Sequence, residues 1–195
     1  MANIFANGEE LATLSELYSL LGISNLLTDD EMNIANAIKS DAAQNAITNV
    51  SYQNGVSKFH YCGVADYERI NWKLSVEPNT NYKVIVNINT TNQLQPLDTE
   101  KPFCPWGISS SEHATDNLDS YDLANWHLPA PWMGTQHGEL SFNSGNRTEV
   151  YLIANFGYLQ DAVPTDMTLQ MTLLKANPIQ SQIDNLQNQI NALKK

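Results

Sequence analysis

Apolar residues near the start of the chain recur three and four positions apart, which is the spacing of amphipathic helices. This spacing predicts one short helix from Glu9 to Leu21, which Gly22 would end in a left-handed cap. Thr28 and Glu31 have the spacing of a capping box and predict a second helix, from Thr28 to about Ala46. Two short helices cannot bury their apolar sides alone. We therefore expect them to pack on the next domain, on a sister subunit or on another protein.

At Ile47 the period of the pattern changes to two, which is typical of half-buried strands. Asn54-Gly55 is a strong hairpin signal, and Trp72 alternates with polar residues, so we expect it in the core. Similar runs, separated by turns, predict seven or eight strands in an antiparallel β-sandwich. The runs cover residues 50–53, 56–62, 70–76, 82–88, 139–142, 150–155 and 167–173.

Residues 91–138 have no sustained period and contain three of the four tryptophans and three of the four histidines. A long irregular stretch inside a domain is usually functional or disordered. The aromatic content argues against disorder, so we expect functional loops here.

The last residues, after Pro178, have isoleucine and leucine spaced four, three, four and three positions apart. This spacing is typical of the apolar seam of a coiled coil. It predicts oligomerisation and favours a parallel dimer. Two heptads are too short to be stable alone, so the globular body would share in the assembly. A single helix that folds back onto its own sheet is the alternative. The seam residues are Ile179, Ile183, Leu186, Ile190 and Leu193, and the predicted domains are 1–46, 47–176 and 177–195.

The net charge of the chain limits the classes of partner that it can bind. With 21 acidic and 10 basic residues the formal net charge is -11, which argues against nucleic acid and against an anionic membrane. We expect no signal peptide and no membrane span. Cys62 and Cys104 lack the spacing of a zinc or redox motif, so they form either a disulfide or two thiols, and we favour two thiols.

Motifs of the common enzyme classes are not visible in the sequence, because it has no nucleophile elbow, phosphate loop or helical zinc motif. His113, His127 and His137 match no metal-ligand spacing. Asp116, Asp119 and Asp122 could offer oxygen ligands to calcium, but the calcium-loop motif is missing. We therefore predict no cofactor, with calcium as the open alternative. Paired acids such as Asp119 and Asp122 leave a polysaccharide hydrolase as one further alternative.

The aromatic residues of the irregular stretch favour sugar binding. Sugars have flat C–H faces edged by hydroxyl groups, so their sites combine aromatic rings with amides, acids or histidines. As an alternative, the tryptophans plug an end of the sandwich or a subunit interface. The predicted carbohydrate-binding residues are Tyr121, Asn125, Trp126, His127 and Trp132.

The β-body also resembles a known family over roughly residues 50–175. The run 74–86 with its Pro-Asn-Thr-Asn-Tyr turn, the segments 138–142 and 148–152, and the run 167–173 resemble jelly-roll carbohydrate-binding modules. Such modules recur in glycosidases and in bacteriophage accessory proteins. The resemblance implies a jelly-roll sandwich, and no site residue is carried over from it.

The three-part organisation resembles a tailed-bacteriophage virion component, such as a head fibre or a baseplate accessory protein. This resemblance implies a non-enzymatic homodimer or homotrimer on the particle surface, bound to other virion proteins and to host surface glycans. A decoration or connector protein without a ligand is the alternative within this class.

Overall fold

The described part of the chain is mainly antiparallel β-structure. The computed structural model describes residues 3–6, 9–13, 25–63, 68–94, 105–113, 121–127, 132–156 and 164–176. Its strands are β1 (Asn3–Ala6), β2 (Glu9–Thr13), β3 (Ile38–Lys39), β4 (Ile47–Gln53), β5 (Val56–Tyr61), β6 (Arg69–Ser75), β7 (Asn81–Leu94), β8 (Pro105–Ser109), β9 (Ala124–His127), β10 (Trp132–Asn143), β11 (Glu149–Asn155) and β12 (Thr165–Lys175). Its helices are α1 (Asp29–Met32) and α2 (Asp41–Ala46).

Ten of these strands form two five-stranded antiparallel sheets. Sheet I has the order β10-β7-β12-β5-β4, and sheet II has the order β3-β6-β11-β8-β9. From β5 onward the chain passes repeatedly from one sheet to the other, the winding of double-sheet sandwiches such as jelly rolls. The predicted antiparallel β-sandwich is therefore confirmed.

The core lies between the two sheets and is built from the alternating apolar residues of both. Trp72 is 1% exposed, as its place in the pattern predicted, and stacks on Trp106 with ring centroids 5.9 Å apart. Phe156 meets Trp106 edge to face and also lies beside Tyr61. These aromatic contacts join sheet I to sheet II at one end of the core.

The outer faces of the two sheets differ. On sheet II the outward residues at one end of β6 and β11 are fully buried, whereas those at the other end, such as Lys73, are exposed. The buried ones are Arg69, Asn71, Ile153 and Asn155. On sheet I most outward residues of β7 and β12 are partly or fully exposed, although Ile85 and Leu174 are buried. Among the residues that the structure describes, more of the outer face is therefore open on sheet I than on sheet II.

The helix predicted from Glu9 is wrong over Glu9–Thr13, because these residues form β2 and pair with β1. Between the two strands the sequence reads Asn7-Gly8, a dipeptide that favours tight hairpins. Pairing with a neighbouring strand thus outweighs the helical spacing. The remainder of that predicted helix, residues 14–21, lies outside the described residues.

The second predicted helix begins where expected but is not continuous. The capping box is confirmed, since Thr28 Oγ1 accepts a hydrogen bond from Glu31 N at 3.2 Å and Glu31 Oε2 accepts one from Thr28 N at 2.9 Å. Helix α1 ends at Met32, because the next backbone N–H groups bond elsewhere: Ile34 N donates to Ser57 Oγ and Ala35 N to Asn33 Oδ1. Strand β3 then pairs with β6 before α2 begins.

The stretch 91–138 is more regular than its sequence suggests. It contains β8, β9 and the first half of β10. Strand β8 is buried over its whole length, so it lacks the polar alternation by which half-buried strands are recognised.

Two other predictions concern single sites. The Asn54-Gly55 hairpin is confirmed, with positive φ angles of 52° and 76° that only such residues adopt easily. Cys62 is an exposed free thiol, as favoured, and Cys104 lies outside the described residues. The coiled-coil seam after Pro178 also lies outside them.

Candidate functional site

The register of sheet I lines up outward side chains in rows that cross the strands. Neighbouring strands lie about 4.8 Å apart, so a row across five strands is about 19 Å long. Two neighbouring rows are almost entirely polar. From β10 to β4, the first consists of Thr135, Asn89, Thr168, Lys58 and Ser51, and the second of His137, Asn87, Gln170, Val56 and Gln53.

A shallow depression of about 180 Å³ lies between these two rows, and we call it the groove. Most of the side chains that line it carry a hydroxyl or an amide group, and β5 adds one partly exposed apolar side chain. The residues that line it are Val56, Asn87, Ile88, Asn89, Thr135, Thr168 and Gln170. Because they stand on four neighbouring strands of one sheet, hydrogen bonds between the strands hold their backbone positions.

Side chains on β10 hold the two groove asparagines in place. His137 Nδ1 lies 2.8 Å from Asn87 Oδ1, and Thr135 Oγ1 donates a hydrogen bond of 3.2 Å to Asn89 Oδ1. In each case the amide oxygen faces β10.

The charged groups near the groove are mostly paired. Lys83 Nζ lies 2.9 Å from Glu139 Oε2, and this hydrogen bond lowers the pKa of Glu139 against an opposing effect of burial. His137 Nε2 lies 3.4 Å from Glu139 Oε1 and lowers this pKa further. On the same face, His60 Nδ1 lies 2.8 Å from Asp166 Oδ1.

The predicted sugar residues take up structural positions between β8 and β10. The ring of Tyr121 is buried against Gly107, so closely that a Cβ there would overlap with it. Asn125 bonds the backbone of Tyr121 at both ends, since its Oδ1 accepts from Tyr121 N at 2.6 Å and its Nδ2 donates to Tyr121 O at 2.8 Å.

Trp126 is half-buried and packs against the core. Its ring lies on Gly138 of sheet I and 6.1 Å from the ring of Trp106 in sheet II. This matches the alternative that the tryptophan plugs an end of the sandwich. His127 is exposed at the end of β9, opposite Pro105, and the side chain of Trp132 lies outside the described residues. A sugar-binding role for these five residues stays a prediction.

The loop acids and histidines are not assembled into a metal or catalytic centre in the described part of the chain. Asp122 Oδ1 accepts a hydrogen bond of 2.8 Å from Ser110 N. Burial raises the pKa of Asp122, but hydrogen bonds from Ser110 and Ser109 lower it more. Its partner in the hydrolase alternative, Asp119, lies outside the described residues together with Asp116.

His113 lies beside Ser109 rather than beside the loop acids, with 2.8 Å between its Nε2 and the serine Oγ. The described residues contain no group of three or more histidines, cysteines or acids that could hold a metal ion. They also contain no helix long and apolar enough to cross a membrane.

Sequence reasoning missed the groove. Five of its seven residues fall within three predicted strands, where polar residues alternate with apolar ones as on any solvated sheet face. Asn89 follows one of these strands, and Thr135 lies in the stretch that was predicted to be irregular. One signal was available: on β7 and β12 these outward positions are asparagine, threonine and glutamine rather than charged residues.

No protein-family model and no curated protein matches the sequence. Several solved structures similar to the chain are carbohydrate-binding modules. A CBM4 module has a TM-score of 0.47 and 11% identity, covering 78% of this chain and 95% of that one. The N-terminal cellulose-binding domain of β-1,4-glucanase C from Cellulomonas fimi has a TM-score of 0.40 and 12% identity, covering 67% and 86%.

A third similar structure is a β-1,3-glucan-binding CBM6 from Bacillus halodurans, with a TM-score of 0.36 and 12% identity, covering 72% of this chain and 95% of that one. All three TM-scores are below 0.5, so no ligand or activity of this chain follows from these likenesses.

Proposed function

We propose that the chain is a non-catalytic carbohydrate-binding protein and that the groove on sheet I receives the glycan. The observation that carries this proposal is the double row of amide and hydroxyl side chains around an open depression. Amides and threonine hydroxyl groups can both donate and accept hydrogen bonds, as sugar hydroxyl groups do. A rigid surface of such groups suits a ligand that is covered with hydroxyl groups.

The shape of the groove suits a chain of sugars rather than a single small molecule. Each row extends about 19 Å across the five strands of the sheet, well beyond the depression itself. A shallow site buries only part of its ligand, so we expect weak binding at each groove. Val56 provides an apolar contact for the C–H face of one sugar ring.

We propose further that the protein is an oligomeric surface component of a bacteriophage particle, of the head-fibre or baseplate type, that presents the groove to host glycans. The heptad pattern from Ile179 to Leu193 and the three-part organisation of the sequence support this part of the proposal. Several weak sites on one oligomer would bind a glycan-covered surface with high avidity.

Affinity electrophoresis through gels that contain neutral or acidic polysaccharides tests the groove. We expect at least one polysaccharide to retard the protein, and we expect Asn87→Ala combined with Gln170→Ala to remove most of the retardation. Asn143→Ala is the matched control, because it removes an exposed amide from the same sheet away from the groove. Equal loss of binding in the control, or no retardation by any polysaccharide, would refute the proposal.

A further inference from the structure

We infer that the groove selects glycans that carry anionic oxygens, as carboxylate, sulfate or phosphate groups. This inference rests on the proposed function and adds to it the chemical class of the ligand. Two independent features carry it: the orientation of the groove amides and the position of one lysine.

The groove asparagines present hydrogen-bond donors. An amide group has one acceptor oxygen and an NH₂ group with two donors. The oxygens of Asn87 and Asn89 are engaged by His137 and Thr135 on β10. Their NH₂ groups therefore lie on the opposite side, towards β12 and the middle of the groove.

Lys58 adds a positive charge at the same place. It is exposed on β5, directly across from Thr168 and two residues from Val56 on the same face. Both of these neighbours line the groove.

Lys58 is also the one lysine, among those that the structure describes, without an ion pair or a hydrogen bond from its ammonium group. The others are engaged: Lys73 by Glu149, Lys83 by Glu139, Lys175 by Glu77, and Lys39 by backbone carbonyl groups. The chain has 21 acidic and 10 basic residues, yet none of the acids in its described part pairs with Lys58. The outward acid two residues along from Thr168, Asp166, is held by His60.

Together these groups make a donor-rich surface on two strands, β5 and β7. A sugar hydroxyl group can bind to a donor or to an acceptor, so a surface rich in donors binds it little better than a mixed surface would. An anionic oxygen only accepts, and its charge-assisted hydrogen bonds are roughly twice as strong as neutral ones. An acidic sugar is therefore the ligand that this surface discriminates best.

The net charge of -11 does not prevent this contact. At physiological ionic strength charges are screened over about 8 Å. Of the acids that flank the groove in the described structure, Glu139 is paired with Lys83, and Asp166 lies against His60 rather than against Lys58. The ammonium group of Lys58 is therefore the unpaired positive charge that a ligand meets there.

Isothermal titration calorimetry with matched pairs of polymers tests the inference on the full chain. The pairs are polygalacturonate with its methyl ester, dextran sulfate with dextran, and phosphorylated dextran with dextran. Each pair keeps one backbone and removes the anionic group, so the three arms distinguish carboxylate, sulfate and phosphate. We expect at least one charged polymer to bind about tenfold or more tightly than its neutral form, the effect of one charge-assisted hydrogen bond.

Variants of two lysines test whether the preference for charged polymers arises at the groove. Lys58→Met should lower affinity for the charged polymer about tenfold, and Lys58→Arg should keep it. Lys73→Met is the control for net charge, because Lys73 is exposed on the other sheet, and it should leave the affinity unchanged. If both variants weaken binding equally, the effect is general electrostatics and the inference is wrong.

The remaining outcomes separate this inference from the proposed function. Equal binding of charged and neutral polymers, unaffected by Lys58→Met, would overturn the inference and leave carbohydrate binding intact. A protein that binds none of the polymers, charged or neutral, would overturn both.

Discussion

Trp126 lies flat on Gly138, and this contact joins the edge strands β9 and β10 of the two sheets. Gly138 is buried and points towards the core, between Gln136 and Leu140 of the same strand. A side chain at this position would occupy the volume of the indole ring. The contact explains why this inward position on β10 is glycine, and why the tryptophan is only half-exposed.

Gly138→Ala should destabilise the protein, because the added Cβ overlaps with the ring of Trp126 and the sheets must move apart or the ring must rotate. We expect a loss of about 2 kcal/mol in the free energy of unfolding, typical of an overpacked core. Urea denaturation measures it, with Ser141→Ala, at an exposed position of the same strand, as the control. In a Trp126→Leu background the same glycine substitution should cost much less. If Gly138→Ala lowers the free energy of unfolding by the same amount in the Trp126→Leu background, the overlap with Trp126 is not the cause of the destabilisation.

Asn25→Ala should weaken the attachment of the segment before α1 to β12. Asn25 Oδ1 accepts hydrogen bonds from Leu173 N at 2.9 Å and from Leu27 N at 3.1 Å, and its Nδ2 donates to Met171 O at 3.1 Å. The side chain thus takes the place of a paired strand on β12, beyond the point where β5 begins. We expect a cost of about 2 kcal/mol, because backbone groups of β12 lose their partners.

Hydrogen exchange at the Leu173 amide and urea denaturation would check this prediction. Asn36→Ala is the matched control, since its amide is exposed and makes only long contacts of 3.4 Å. Unchanged protection of the Leu173 amide in Asn25→Ala would show that this contact is dispensable.

Glu31 should make part of the stability depend on acid pH. Burial raises the pKa of Glu31, but hydrogen bonds from Thr28 and Ser75 outweigh it and lower the pKa below the usual 4.5. Because the folded value is the lower one, Glu31 stabilises the fold fully above about pH 4.5. This contribution is lost as the pH falls through the folded pKa.

Urea midpoints at pH 7 and pH 3 measure this effect. Glu31→Gln should be less stable than the parent at pH 7, and the difference should shrink at pH 3. The control Glu112→Gln removes an exposed acid and should show no such change. A difference that is equal at both pH values would argue against a role for the charge.

The coiled-coil seam predicts that the protein self-associates through its last residues. Light scattering of the full chain should give the mass of a dimer or trimer, and a chain that ends at Asn177 should be a monomer or associate more weakly. If both are monomers, the C-terminal segment packs on its own domain or on another protein, and the decoration or connector alternative gains support.

Local sequence patterns predicted much of the sandwich. The alternation in β6, β7, β11 and β12, the Asn54-Gly55 hairpin and the capping box at Thr28 are properties of a few neighbouring residues, so the sequence alone was sufficient. Prediction from the sequence was wrong or incomplete where contacts with distant segments of the chain decide the local structure. Strand β8 is buried on both faces and carries no alternation, and the helix expected through Ser40 is interrupted by pairing between β3 and β6.

The candidate site depended on tertiary structure almost entirely. From the sequence, Trp126 and Tyr121 were the natural sugar platform, and only folding places the one on Gly138 and the other on Gly107. The groove brings together residues from β5, β7, β10 and β12, up to about 110 positions apart in the chain. The sequence by itself determined which residues face outward on the alternating strands β6, β7, β11 and β12, because alternation is local. Which strands become neighbours, and which sheet face stays open, was decided by long-range packing of the whole sandwich.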